Sequence, residues 1–127
     1  MSHTIKNLDE VHDVAKDHGL SEHGEARFAM GDLEAQQTGL SHQRLRPGKR
    51  QTFGHRHDDA EEIYLVLSGS GRVKLDDEVF EIRRLDAIRV SPETMRSFEA
   101  GPDGLEFIAV GQHFGGDGEL VNGWWGD

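Results

Sequence analysis

Two histidines and a glutamate stand close together in a chain that otherwise carries few obvious catalytic groups. His55 and His57 lie two residues apart, and Glu62 follows five residues later, inside the run GKRQTFGHRHDDAEEIYLVLSG from Gly48 to Gly69. If the segment is extended, His55 and His57 project from one face, because strand side chains alternate with a period of two. Two neutral imidazoles and a carboxylate converging from neighbouring strands form a facial N,N,O set. Fe, Mn, Ni and Zn all accept such donors, the choice depending on which positions stay open. The plainer alternative is a pair of histidines on a polar barrel face with no metal between them.

The elements that must position this set are strands. After Gly39 the sequence breaks into short apolar runs: Leu40 to Leu45, Glu61 to Leu67, Arg72 to Leu75, Val79 to Ile82, Ala87 to Val90, Met95 to Phe98 and Leu105 to Gln112. Between them lie Arg46-Pro47-Gly48, Ser68-Gly69-Ser70-Gly71, Asp76-Asp77-Glu78, Ser91-Pro92 and Ala100-Gly101-Pro102, which read as turns. About seven strands at this spacing predict a sandwich or barrel. Before them, Asn7 to His18 is the one helix candidate. Leu8, Val11, Val14 and Ala15 share a face there, with Asn7 or Asp9 as N-cap and Gly19 as stop. Residues 1–39 are therefore read as a helix and lead-in strand, and residues 40–127 as the barrel with its tail, together one structural domain. Both tryptophans, Trp124 and Trp125, sit in that tail. Rings of this size are costly to leave in water, so the tail is expected to dock on the barrel or on a second subunit.

Composition narrows the function classes. With 127 residues there is room for one continuous core. Cysteine is absent, which excludes disulfides, thiolate nucleophiles and zinc–sulfur sites. A formal charge of −10, from 24 acidic against 14 basic residues, argues against a nucleic-acid partner, whose phosphates call for cations. No apolar run resembles a signal peptide or is long enough to span a bilayer, so no membrane partner and a cytoplasmic location are expected.

Gly48, His55, His57, Glu62 and Gly69, with a tyrosine two residues after the glutamate, resemble the first motif of the cupin superfamily. The likeness covers roughly residues 40 to 113. It implies an all-β fold, the cupin double-stranded β-helix or jelly-roll barrel, here with a short N-terminal helix. It also implies a divalent metal on His55, His57 and Glu62, and a homodimer, for which the Trp124-Trp125 tail offers an apolar surface. The second cupin motif, aligned on RRLDAIRVSPETMRSFEAG, departs from the family pattern. Leu85 and Glu93 stand where glycines are usual and Ala100 stands at the asparagine. Arg96 occupies the place of the fourth ligand, a histidine.

That replacement bears directly on the chemistry, because a guanidinium is always charged and has no lone pair to give a metal. Three arrangements stay open. His55, His57 and Glu62 hold the metal alone with Arg96 turned aside. Or no metal binds, and Arg96 pairs with Glu62 in the barrel, where an unpaired carboxylate is costly. Or His113 or His42 replaces the missing ligand.

By strand parity, Tyr64 and Val66 share the face of Glu62, while Ile63, Leu65 and Leu67 face the other way. Phe98 shares the parity of Arg96, and Phe53 that of the two histidines. Arg96, Tyr64, Phe53 and Phe98 are therefore the candidate ligand-binding residues, with core filling as the plainer role for the two phenylalanines. A free Arg96 would anchor an anionic ligand, because its fork presents parallel donors. The expected function is a small cupin-domain protein whose barrel pocket binds a divalent metal and a small molecule. Two alternatives stand beside it: a metal-dependent enzyme of dioxygenase or isomerase type, and a metal-free module closed by a Glu62–Arg96 pair. The barrel hosts many chemistries, so the motif names a site and not a reaction.

Overall fold

The computed structural model describes residues 2–113 and 116–126. Its strands are β1 (Gly24–Phe28), β2 (Thr38–Leu45), β3 (Phe53–Arg56), β4 (Glu62–Leu75), β5 (Glu78–Arg83), β6 (Ala87–Val90), β7 (Arg96–Gln112) and β8 (Glu119–Asn122). All pair antiparallel in a single curled sheet, in the order β1-β2-β7-β3-β8, with β4 joining β7 to β5 and β6. The first half of β7 lies against β3 and the far end of β4, and its second half lies against β2 and the near end of β4. Two long bent strands thus serve both sides of a jelly roll.

The turns expected at Ser68–Gly71 and at Ala100–Pro102 are instead interior to β4 and β7. The glycines there allow close backbone approach. A Cβ on Gly71 would sit 2.0 Å from the Glu99 carbonyl oxygen, and Gly69 has φ 77° with the Gly104 carbonyl oxygen equally close. The β4–β7 register shifts at Val66/Ser68 and at Gly69/Gly71, so the strand bulges and bends where a turn was expected.

The N-terminal helix is replaced by two 3₁₀ turns, Leu8–Glu10 and Val14–His18. Asn7 does cap the first and Gly19, at φ 68°, ends the second. Between them Asp13 is extended and buried. Its carboxylate accepts from the Ala15 amide (3.0 Å) and from the Ala26 amide of β1 (2.9 Å). That tie to the sheet interrupts the helical ladder. No helix among the described residues is long and apolar enough to cross a membrane.

The core is built from the alternating faces of β2, β4 and β7. Tyr64, Val66, Val73, Phe98, Leu105 and Phe107 are nearly or fully buried. Phe98 stacks on Phe107 at 4.5 Å between ring centroids, with Tyr64 tilted against Phe98 and edge-on to Phe107. The opposite parity of β4 leaves Ile63 about half exposed.

The tryptophan tail docks on its own barrel. Trp124 covers Gly54, Trp125 Nε1 donates to Ser97 Oγ (3.0 Å), and Lys74 Nζ donates to the Trp124 carbonyl oxygen (2.7 Å). The Arg50 and Arg72 guanidinium groups lie over the Trp125 ring at 4.6 and 5.5 Å, a cation–π arrangement.

Candidate functional site

Strand pairing brings the separated motifs together. His55 on β3 is in register with Arg96, the first residue of β7. His57 lies just beyond β3, where its amide donates to the Pro92 carbonyl oxygen (2.7 Å). Glu62 opens β4, and Tyr64 follows it on the same inward face.

Four side chains converge on one oxygen. Glu62 Oε1 accepts from Tyr64 OH (2.7 Å) and from Arg96 Nη1 (3.0 Å), and lies 3.0 Å from His57 Nε2 and 3.4 Å from His55 Nε2. The two imidazoles meet edge to face with centroids 5.3 Å apart. Burial alone would raise the Glu62 carboxyl. Hydrogen bonds from His55 and Tyr64 and the neighbouring imidazoles outweigh burial and hold its pKa at about 2. Burial, followed by the Glu62 charge, pushes the Tyr64 phenol well above its ordinary range, so it stays a proton donor.

The donor set fits a transition metal. One ligand atom from each of His55, His57 and Glu62 lies within 4.8 Å of the others. Metal–ligand bonds of about 2.0–2.2 Å at octahedral or tetrahedral angles separate neighbouring ligand atoms by about 2.8–3.6 Å. The His–Glu separations of 3.0 and 3.4 Å fall in that range. The Nδ1 atom of His55 is buried without a hydrogen-bond partner, and His57 Nδ1 is buried with a carboxylate, that of Asp117, 3.4 Å away.

Arg96 is neither turned aside nor open to an incoming ligand. It is fully buried, with Nη1 on Glu62 and Nη2 donating to the carbonyl oxygens of Ser91 (2.7 Å) and Pro92 (3.4 Å). The fork expected for an anion is thus already engaged, although the metal-type cluster forms beside it. Phe98 is fully buried in the core against Tyr64 and Phe107, the plainer of the two roles read for it. Phe53 and Tyr64 do line the pocket, an open cavity of about 910 Å³.

Neither histidine considered as a substitute ligand joins the cluster. His42 faces the opposite side of β2, where its Nε2 lies 2.7 Å from Glu106 Oε2. His113 stands exposed on the pocket rim. Among the described residues, the potential metal-ligating group consists of His55, His57 and Glu62.

Asp117 is a further site residue that sequence reasoning missed. Its buried carboxylate accepts from the amides of Asp58, Asp59 (3.1 Å) and Ala60 (3.1 Å), and its Oδ2 lies 3.4 Å from His57 Nδ1. Burial works to raise this carboxyl, but the three amide hydrogen bonds prevail and lower it. Only the β3–β8 pairing brings residue 117 to the 57–60 loop, and no local motif announces it.

The chain is thus a jelly-roll barrel with a His-x-His pair and a glutamate gathered at its mouth. Residues 41–111 match the cupin domain model, and the chain belongs to the cupin superfamily. An uncharacterised protein of Methanocaldococcus jannaschii, MJ1618, is 40% identical over 53 residues, which are 42% of each chain. This chain therefore matches less than half the length of that relative. Among solved structures, a cupin protein from Bacteroides fragilis superposes with TM-score 0.72 at 23% identity, over 91% of this chain and 88% of that one. The polyketide cyclase RemF of Streptomyces resistomycificus gives 0.74 at 19% identity, over 94% and 84%. The oxalate decarboxylase of Bacillus subtilis gives 0.73 at 22% identity, over 91% of this chain and 32% of the decarboxylase. At these identities the likeness is one of fold.

Proposed function

We propose that this cupin domain binds a divalent transition metal (Fe, Mn, Ni or Zn) through His55, His57 and Glu62 and takes a small molecule in the adjoining pocket. The observation that carries the reading is the convergence of one ligand atom from each of His55, His57 and Glu62 within 4.8 Å of one another. Bound there, a metal would supply Lewis acidity or an oxygen-activating centre with positions open to a chelating ligand. The chain's own residues do the rest. Arg96 and Tyr64 both donate to Oε1 of Glu62 and hold that carboxylate ionised and oriented. Asp117, beside His57 Nδ1, favours a proton on that nitrogen, which leaves the Nε2 lone pair facing Glu62. A cyclase and a decarboxylase among the fold neighbours show that this fold can serve catalysis, and the enzyme reading for this chain rests on the metal.

One observation favours a second reading. The Arg96–Glu62 contact already compensates the carboxylate, so a metal-free binding module is electrostatically complete without a cation. Elemental analysis of protein purified without a histidine tag separates the two. The metal reading expects close to one metal per chain in the wild type and almost none in His57→Ala. Substoichiometric metal that the substitution leaves unchanged supports the module instead.

The same proposal includes a homodimer. Ile63 and Val110 lie side by side in register on the outer face and are both exposed, and a second copy is the natural cover for such a patch. Light scattering that returns a monomer at micromolar concentration would contradict this.

A further inference from the structure

The pocket beside the cluster is walled by apolar side chains whose exposure the fold itself does not explain. Phe28, at the end of β1, is 57% exposed, and Leu120 on β8 is 56% exposed. Both line the same cavity, together with Met30, Leu40 and Phe53. Phe28 is in register with Ser41 on the inward face of the sheet, so it is turned towards the cavity and not towards the outer surface.

The charged groups in the wall are already matched. Of the two arginines there, Arg56 is held by Glu119 (2.7 Å) and Asp58 (3.1 Å), and Arg44 by Glu106 (3.1 Å), Asp9 (3.5 Å) and Glu25 (3.7 Å). Of the wall carboxylates, Glu25 is also paired with Arg27, Glu62 with Arg96, Glu119 with Arg56, and Asp117 with three loop amides. Both arginines that border the cavity are thus engaged, so an anion entering it finds no open guanidinium fork among the described residues. A neutral molecule needs none and buries the apolar side chains.

We propose that the pocket takes a neutral, mainly apolar, ring-bearing molecule that points one hydroxyl or carbonyl oxygen at the His55–His57–Glu62 cluster. Phe28 and Phe53 supply aromatic faces for the ring, and Leu120 closes over it from β8. The ring end is recognised by burial. The polar end is recognised by the imidazoles and, where a metal is held, by its open positions. This inference rests on the pocket being the binding site of the proposed function, and it names the ligand class that site selects.

The test uses a matched pair of probes on tag-free protein of known metal content. 2-Naphthol and 2-naphthoate share a ring and differ in charge, and calorimetric titration gives the affinity of each. The proposal expects 2-naphthol to bind at least tenfold more tightly than 2-naphthoate. It expects Phe28→Ser and Leu120→Ser each to weaken 2-naphthol by about tenfold, the worth of one large apolar contact. Because both side chains are more than half exposed, neither substitution should move the melting temperature of the free protein. Equal or tighter binding of 2-naphthoate overturns the proposal, as does 2-naphthol binding that ignores both substitutions or is undetectable at its solubility limit. Metal content, read on the same samples, keeps the two ideas apart. Phe28-dependent naphthol binding to metal-free protein supports the ligand class and contradicts the metal reading. A fully loaded protein that ignores 2-naphthol does the reverse.

Discussion

Arg96 Nη1 donates to Glu62 Oε1 across 3.0 Å, from a side chain with no solvent exposure to one still partly open to the pocket. The replacement that breaks the second cupin motif is therefore wired into the first. The two partners are not equivalent. Among the described residues Glu62 is the one carboxylate paired with Arg96, whereas Glu62 keeps Tyr64 and the two imidazoles if Arg96 is lost.

Removing either partner should expose that asymmetry. Glu62→Ala strands a buried guanidinium and should cost about 3 kcal/mol or more of folding stability. Arg96→Met removes the charge and keeps most of the volume, and should cost only about 1–2 kcal/mol. Urea unfolding of both variants checks the order. Equal losses, or a larger one for Arg96→Met, would show that the pair is not arranged as described.

Asp117 should act on the metal through His57. Asp117→Asn keeps the size and can still accept from the loop amides, but it no longer favours a proton on Nδ1 by charge. Metal affinity, measured by competition with a chromophoric chelator, should fall about tenfold, within the range typical of such outer-shell partners. Asp117→Ala should lose more and also lower the melting temperature, because the Asp58, Asp59 and Ala60 amides lose their acceptor. Unchanged affinity in Asp117→Asn would reduce Asp117 to a loop clasp.

Much of this was legible in the chain. The spacing of His55, His57 and Glu62 announced the cluster, and period-two alternation placed Tyr64 and Val66 inside and Ile63 outside. What escaped was set by tertiary contacts. Gly69 and Gly71 read as a turn because local chemistry does not separate a bulge from a hairpin; the close approach of the Glu99 and Gly104 carbonyls decides it. The helical periodicity of Asn7 to His18 gave way to a single buried aspartate, Asp13, bonded across to β1. Strand β8 lacks a long apolar run, so neither its pairing with β3 nor the placement of Asp117 could be read.

Acid should weaken a second cluster, on the far side of Phe98. Glu99 takes two hydrogen bonds from Arg50 through Oε2 and two from Arg72 through Oε1. Burial acts to raise its carboxyl, and the two arginines more than reverse this and lower it. A pKa lowered by folding contributes stability above the unfolded value, about 4.3 for glutamate, and that contribution is lost as pH falls through the folded value. The stability gap between wild type and Glu99→Gln should therefore be wider at pH 7 than near pH 3, approximately. A gap independent of pH would remove the carboxylate's charge from the account.

The tail has a sensitive contact at Gly54. A Cβ there would stand 2.6 Å from Trp124 Cγ, so Gly54→Ala should lift Trp124 off the barrel. Tryptophan emission should shift to the red, with a loss of about 1–3 kcal/mol as for other overpacked sites. An unshifted spectrum would mean the tail re-seats at no cost.

The central claim is that His55, His57 and Glu62 hold a metal while Arg96 stays on Glu62. Anomalous scattering from crystals of tag-free protein soaked in manganese, recorded on both sides of a second metal's absorption edge as a control, tests it most directly. The account predicts one dominant peak about 2.0–2.3 Å from both Nε2 atoms and a Glu62 oxygen, with the Arg96–Glu62 contact retained. No peak between these three side chains, or one that forms only where Arg96 has swung away from Glu62, would contradict it.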